Sequence, residues 1–179
     1  NTMPLTRAKN RKAIHNRNVH CSGYLREDNL WDIEGHLIDT KTYDFETWSR
    51  GEVKAGAPVH DMSIRITLDD NLKIHDIELD MSANPYQSCP AVIPNFNKLK
   101  GIEITKGFKK KIREVVGGIK GCTHMVELLS PIATTAFQTI YSHKNKKQKG
   151  EAPKLINSCY SWSEKGEVIK KEYPDYYKK

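Results

Sequence analysis

The sequence predicts an α+β domain, in which an antiparallel β-meander of about four strands is packed on one face by about three helices. Strand-like segments with alternating apolar and polar residues fill the first half of the chain. Segments with helical spacing of apolar residues follow after Asn84-Pro85. Because the two kinds of segment are not interleaved, the helices are expected to gather on one face of the sheet.

The first two strands are expected on either side of a turn at residues 27–29. The second of them, within 30–43, alternates clearly, with Trp31, Ile33, Gly35 and Leu37 on one face. The opposite face carries Asp32, Glu34 and His36. Two interpretations stay open for these three groups: a solvated strand face or, if the face is covered, a row of acid–base groups.

A polar, glycine-containing loop is predicted at 44–58, followed by a third strand at 60–68 and a fourth at 72–79. In the third strand the apolar face holds Met62, Ile64, Ile66 and Leu68, and the other face holds Asp61, Ser63, Arg65 and Thr67. The apolar phase of the fourth strand slips between Ile74 and Ile77, which indicates a bulge or twist.

Three helical segments complete the predicted domain. The first, at 87–99, is short and interrupted by prolines, and the second covers 106–116 with lysines outside. The third runs from Thr123 to about Ser142, and Pro131 is expected to kink or restart it. Its apolar stripe consists of Met125, Leu128, Leu129, Ile132, Ala136, Phe137 and Ile140.

The charge distribution suggests three regions: a basic N-terminal arm at 1–17, a single α+β domain at 18–143 and a basic C-terminal extension at 144–179. The net charge of +7 comes largely from the two ends. They lack the patterns of an RNA-binding sheet or a helix-turn-helix, so nucleic-acid binding is not expected. No apolar run is long enough for a membrane span or a signal peptide, and a cytoplasmic location is predicted. The four cysteines form no CxxC pair, which argues against a zinc ribbon.

Three blocks of the chain resemble, in the right order, the bacterial domain of unknown function 2889 family. They read GYLREDNLWDIEGHLIDTKTY, PVHDMSIRITLDDNLKIHDIE and GFKKKIREVVGGIKGCTHMVELLSPIATTAFQTI. The similarity covers about Cys21 to Ile140, and the family name implies no assigned activity. The order of strands before helices also resembles the iron–sulfur scaffold fold, which relies on three cysteines, whereas only Cys122 lies at a comparable turn here.

The stretch 116–138 is the main candidate for an active site. A glycine-rich turn leads into Cys122, Thr123 and His124 at a predicted helix start, where free amides and the helix dipole favour negative charge. Glu127 is three residues from His124 and is expected on the same helix face. Known phosphate-loop, dinucleotide, zinc-protease and serine-hydrolase motifs are missing from the sequence, and no cofactor or metal is expected.

The function predicted from these residues is a cofactor-independent lyase that acts on a small, aromatic, lignin-type substrate, for example by deformylation or elimination. Histidine suits proton transfer near neutral pH, and an acidic neighbour would orient it. The candidate catalytic residues are His60, His124, Glu127, Cys122 and Asp61. The candidate substrate-binding residues are Asp32, Glu34, His36, Lys41, Tyr43, Arg65, Tyr86 and Thr123.

Several alternatives remain open. Cys122 is a candidate nucleophile at the helix start. A zinc or iron site is the second alternative, with ligands from His60, Asp61, His124 and Glu127. A binding protein is the third, either resembling the iron–sulfur scaffold or regulating nucleic acid through the basic ends. A small-molecule substrate and no membrane are expected, and a homo- or heterodimer is left open.

Overall fold

The computed structural model describes residue 6 and residues 8–144 and 155–179. Its chain divides into two compact units, Asn1–His143 and Lys144–Lys179. The first contains the whole sheet and the long helices, so the α+β fold class is confirmed. The predicted candidate site residues all belong to this first unit.

A four-stranded antiparallel sheet forms the centre of the first unit, in the order β1-β2-β5-β6. Its strands are β1 (His15–Leu25), β2 (Trp31–Lys41), β5 (Pro58–Leu68) and β6 (Ile74–Ala83). The sequence placed residues 15–17 in an N-terminal arm, but they pair with β2 and are part of β1. The register shift in the β5–β6 pairing at Thr67/Leu68 explains the phase slip seen in the sequence near Ile74.

The segment predicted as a loop at 44–58 contains a small hairpin of its own. Its strands are β3 (Phe45–Thr47) and β4 (Gly51–Val53), joined by a turn at residues 48–50, and Gly51, directly after the turn, has a φ of 69°. Positive φ favours glycine, so this residue suits the turn that closes the hairpin. The sequence missed these two strands because runs of three residues are too short to show a period.

In the described part of the chain four α-helices follow the sheet: α1 (Ile93–Phe96), α2 (Phe108–Val116), α3 (Thr123–Lys144) and α4 (Glu167–Glu172). The prolines divide the predicted first helix into α1 and two flanking 3-10 turns, Cys89–Val92 and Asn97–Leu99. Helix α3 continues through Pro131 as one helix, so the predicted restart at this proline was wrong. Among the described residues, no helix has the length and apolarity to cross a membrane.

The core lies between the helices and one face of the sheet, here called the inner face. Alternation along β2 buries Trp31, Ile33 and Leu37 on it, as predicted. Gly35, on the same face, allows a close approach of α3, since a Cβ atom there would lie 2.6 Å from the Ile132 side chain. The missing side chain therefore sets the spacing between α3 and the sheet. The opposite, outer face carries most of the polar residues of β2 and β5.

The two edges of the sheet differ. On the β6 side, residues 101–104 run along the start of the strand, with a hydrogen bond of 2.9 Å from the Ile74 N–H to the Ile102 carbonyl. On the opposite edge, none of the described strands pairs with β1 on its side away from β2. Strand β1 thus depends on β2 alone for its backbone pairing.

The second unit is small. Its described part consists of a 3-10 turn at Tyr160–Trp162, helix α4 and a second 3-10 turn at Pro174–Tyr176. The rings of Trp162 and Tyr173 pack with centroids 5.8 Å apart. Most of the lysines at 144–149 lie outside the described residues.

Candidate active site

The side chain of Asp39 is the centre of the candidate site. It takes the fifth inner-face position of β2, where the first four are Trp31, Ile33, Gly35 and Leu37, and its side chain is 1% exposed. Arg17, its register partner on β1, donates to both carboxylate oxygens, from Nε to Oδ1 at 2.7 Å and from Nη2 to Oδ2 at 2.8 Å. A two-pronged, charge-assisted pair of this kind fixes the carboxylate plane.

Two histidines approach the same carboxylate from different elements. His60, the register partner of Asp39 on β5, places Nδ1 3.0 Å from Oδ2. His124, in the first turn of α3, places Nε2 3.9 Å from the same oxygen. The two imidazole rings face each other with centroids 3.7 Å apart and planes 31° apart. A third histidine, His15 on β1, has Nε2 3.3 Å from Oδ1.

The electrostatics of this cluster follow from its burial. Burial alone would raise the pKa of Asp39, but the hydrogen bonds and charge of Arg17, with help from His15 and His60, lower it to about 2. Burial lowers the pKa of His60, and the nearby His124 lowers it further. Burial is also the main cause that lowers the pKa of His124, followed by the charge of Arg17. At neutral pH the cluster thus holds an ionised carboxylate beside two neutral imidazoles.

The first turn of α3 supplies the rest of the site. The Cys122 carbonyl accepts the Val126 N–H at 2.9 Å, which makes Cys122 the N-cap residue of the helix. Its Sγ lies 3.9 Å from Nδ1 of His124, so each edge of this imidazole has a polar neighbour. Glu127 accepts a hydrogen bond of 3.0 Å from Nη1 of Arg17. Arg17 therefore links the edge strand, Asp39 and the helix.

The structure separates the predicted site residues onto two faces of the sheet. Outer-face residues cannot reach the Asp39 cluster, because the sheet lies between them. These are Asp32, Glu34, His36, Asp61 and Arg65. On the outer face they pair with each other, His36 with Asp61 at 2.7 Å and Arg65 with Glu34 at 3.1 Å, beside an open groove of about 300 Å³.

This separation corrects two predicted partnerships. Asp61 does not orient His60, because neighbouring residues of a strand point to opposite faces, and Asp39 takes this role instead. Glu127 does not orient a histidine directly, since it binds Arg17. The predicted metal ligand set is changed in the same way: the donor atoms that converge belong to Asp39, His60 and His124.

The remaining predicted contact residues have different surroundings. Lys41 donates to the Tyr43 hydroxyl at 2.9 Å and continues β2 beyond Asp39. Thr123 is the exposed first residue of α3. Tyr86 stacks against Trp48, whose relative exposure is 87%, with ring centroids 5.7 Å apart.

Asp39, Arg17 and His15 are the site residues that the sequence analysis missed. One signal was present for Asp39: a carboxylate occupies the next position of an otherwise apolar series on β2. A charge at a core position is rarely tolerated without a partner. No comparable signal marks Arg17 or His15, since β1 lacks a clear period before Val19.

Comparison with known families gives one match, to the family described as protein of unknown function (DUF2889), over residues 15–138. The matched range begins at the first residue of β1 and ends within α3, so it includes every residue of the Asp39 cluster. Comparisons with the curated proteins and with the solved structures gave no match. The match covers well over half of the chain, and the chain therefore belongs to the family of proteins of unknown function DUF2889.

Proposed function

We propose that the protein is a cofactor-independent lyase that transfers protons with His60 and His124. The observation that supports it best is the convergence of two half-buried imidazoles on one buried, ionised carboxylate. Perturbed titratable groups that face each other in this way are typical of acid–base sites. The lignin-type aromatic substrate and the cytoplasmic location remain predictions from the sequence.

The protonation of His60 follows from its partner. An ionised carboxylate can only accept hydrogen bonds, so Nδ1 of His60 must carry the proton that it donates to Asp39. Nε2 is then unprotonated and has a free lone pair. In this form His60 is a general base, and Asp39 stabilises the imidazolium that appears when the base takes a proton.

His124 is the second proton carrier of the pair. Two imidazolium rings 3.7 Å apart would repel each other strongly, so the pair holds one extra proton at most near neutral pH. In a lyase reaction neutral His60 removes a hydroxyl or C–H proton as the bond breaks, and the pair of rings then carries this one proton. The imidazolium returns the same proton to the carbon or oxygen left behind, directly or after the proton has passed to His124, so both rings end neutral.

The experiment compares His60→Gln and His124→Gln with the control variant His36→Gln. His36 also binds an aspartate, at 2.7 Å, but on the outer face. Small aromatic compounds with a hydroxymethyl side chain are screened for formaldehyde release after treatment with EDTA. We expect turnover to survive the chelator and His36→Gln, and to fall at least about 100-fold in the two inner-face variants. Turnover that survives in His60→Gln, or falls equally in His36→Gln, would contradict the proposal.

A metal centre is the second candidate function. One donor atom each from Asp39, His60 and His124 lies within 4.8 Å of the others, and two histidines with one carboxylate suit zinc or iron. Arg17 argues against it, because the guanidinium already occupies both oxygens of Asp39. A stoichiometric metal in the purified protein, lost in His60→Gln and in His124→Gln but kept in His36→Gln, would replace the acid–base proposal by this one.

A further inference from the structure

We infer that Lys41, Tyr43 and Phe45 form a subsite for an aromatic carboxylate beside the acid–base pair. The inference deepens the proposed function, on which it rests for the reaction, by naming the substrate class. The binding of the carboxylate is testable on its own.

The first step is position. Lys41 lies two residues beyond Asp39 on β2, and residues two apart on a strand point to the same face, about 7 Å from each other. Its register partner on β1 is His15, whose Nε2 lies 3.3 Å from Oδ1 of Asp39. Lys41 is therefore the next inner-face neighbour of the cluster along the strand.

The second step is charge. Arg17 is occupied by the carboxylates of Asp39 and Glu127. Lys41 differs, because no carboxylate among the described residues is paired with its ammonium group. It contacts neutral groups instead: the Tyr43 hydroxyl at 2.9 Å and the rings of Tyr43 and Phe45, whose centroids lie 5.1 Å and 4.9 Å from Nζ. A positive charge held in place by aromatic faces keeps its remaining hydrogen-bond donors for an anion.

The third step is shape. Tyr43 and Phe45 pack edge to face with centroids 6.3 Å apart, and Tyr43 is 39% exposed. An aryl ring has apolar faces to pack against and, as a carboxylate, an anionic end for Lys41. The distance of about 7 Å between neighbouring inner-face positions on β2 matches the length of a substituted benzene ring. A substituent on the ligand's ring, opposite the ligand's own carboxylate, would then reach His60 and His124.

The probe for this subsite is benzoate, with benzamide as its neutral isostere. Binding is measured by NMR titration, following the imidazole signals of the protein. We expect benzoate to bind wild type at least about 10-fold more tightly than benzamide, because a hydrogen bond to a charged group is worth that much. Lys41→Met is expected to remove this preference, and Lys41→Arg to keep most of it. Lys73→Met, which removes an exposed ammonium group from the β5–β6 turn, is the matched control.

Equal binding of the two probes to wild type, or an unchanged preference in Lys41→Met, would overturn the subsite. Unfolding curves of the variants show whether Lys41→Met loses the preference for benzoate because it is misfolded. Lys41→Arg is a second check, since it keeps the positive charge and should keep the preference. His60→Gln separates the two proposals. If it binds benzoate like wild type but loses turnover, both stand, and if it keeps turnover, the lyase proposal fails while the carboxylate subsite remains.

Discussion

The sheet carries a hydrogen-bonded histidine–aspartate pair on each face, and the outer pair has the shorter hydrogen bond. On the inner face His60 and Asp39 are 3.0 Å apart, with side chains 12% and 1% exposed. On the outer face His36 and Asp61 are 2.7 Å apart, with side chains 45% and 29% exposed. Only the inner carboxylate also binds an arginine and faces a second imidazole.

The comparison shows that the burial of a histidine–aspartate pair, more than the length of its hydrogen bond, decides how strongly the two groups change stability and proton affinity. Near water a charged pair gains little, because the solvent screens it. Inside the protein the same charges interact strongly and change each other's proton affinity. We therefore expect substitutions on the inner face to change stability and chemistry together, and matched substitutions on the outer face to change neither.

The largest difference is expected between Asp39→Asn and Asp61→Asn. Removing the charge of Asp39 leaves Arg17 without its buried partner, which should lower the free energy of unfolding by about 3 kcal/mol. Asp61→Asn should cost less than about 1 kcal/mol. Urea unfolding of both variants beside wild type measures the two values. Equal losses would show that burial does not distinguish the two faces.

The pH dependence of stability is the second test. The pKa of Asp39 is lowered to about 2 in the folded state, so its contribution is full above its ordinary pKa and is lost as the pH falls towards 2. The lost contribution is about 2 kcal/mol, from a shift of nearly two pH units. The pKa values of His60 and His124 are also lowered in the folded state. The unfolded chain therefore binds more protons below about pH 6.5, and these two residues also make the protein less stable as the pH falls.

Urea unfolding at a series of pH values checks this expectation. Stability should decrease steadily from neutral pH to acid in the wild type. Asp39→Asn should lose the part of the decrease that lies below about pH 4, the ordinary range of an aspartate. Parallel curves for the two proteins would show that Asp39 is not the group responsible.

A smaller effect is expected at Gly35. A Cβ atom there would lie 2.6 Å from Ile132 and 3.2 Å from Leu128, so in Gly35→Ala the Ile132 side chain or α3 itself must shift. Crowding of a packed core costs about 1–3 kcal/mol, and the stiffer unfolded chain returns up to about 1 kcal/mol of it. The net loss should be about 1 kcal/mol, with altered NMR signals of His124. Ser63→Ala, on the outer face, is the control and should change neither.

The smallest effect is expected at Arg65, although it pairs with two carboxylates on the outer face. The distances are 3.1 Å to Glu34 and 3.2 Å to Glu78, and the arginine side chain is 46% exposed. Arg65→Met should change the free energy of unfolding by no more than about 0.5 kcal/mol. Thermal unfolding at low and high salt measures it, and a loss above 2 kcal/mol would show that this outer network stabilises the fold.

Much of the fold could be predicted because its elements are long and periodic. The alternation in β2 and β5 gave the correct inner and outer residues, and the apolar stripe of α3 gave the core contacts around Leu128 and Ile132. The short hairpin at 45–53 and the first residues of β1 could not be predicted, since they have too few residues for a period. The predicted alternative of a helix restart at Pro131 was wrong, because α3 continues through the proline as one helix whose apolar side is buried along its length.

The candidate site could be predicted only in part. His60 and His124 were named, and the structure brings their rings together from β5 and α3. Their shared partner was missed, since the pairing of Asp39 with His60 depends on strand register, which a single sequence does not show. Asp61 seemed the natural partner of His60 because it is adjacent in sequence, but adjacency along a strand means opposite faces.

Arg17 lies on an edge strand, so local opening of that strand affects the proton affinity of the site. Edge strands are the first to fray, since half of their backbone groups have no strand partner. Each local opening of β1 would withdraw Arg17 from Asp39 and Glu127, and the buried carboxylate would keep only His60 and His124 beside it. The proton affinity of the imidazoles would then rise without any motion of their own. The proton affinity of the buried imidazoles is in this way coupled to the local opening of an edge strand.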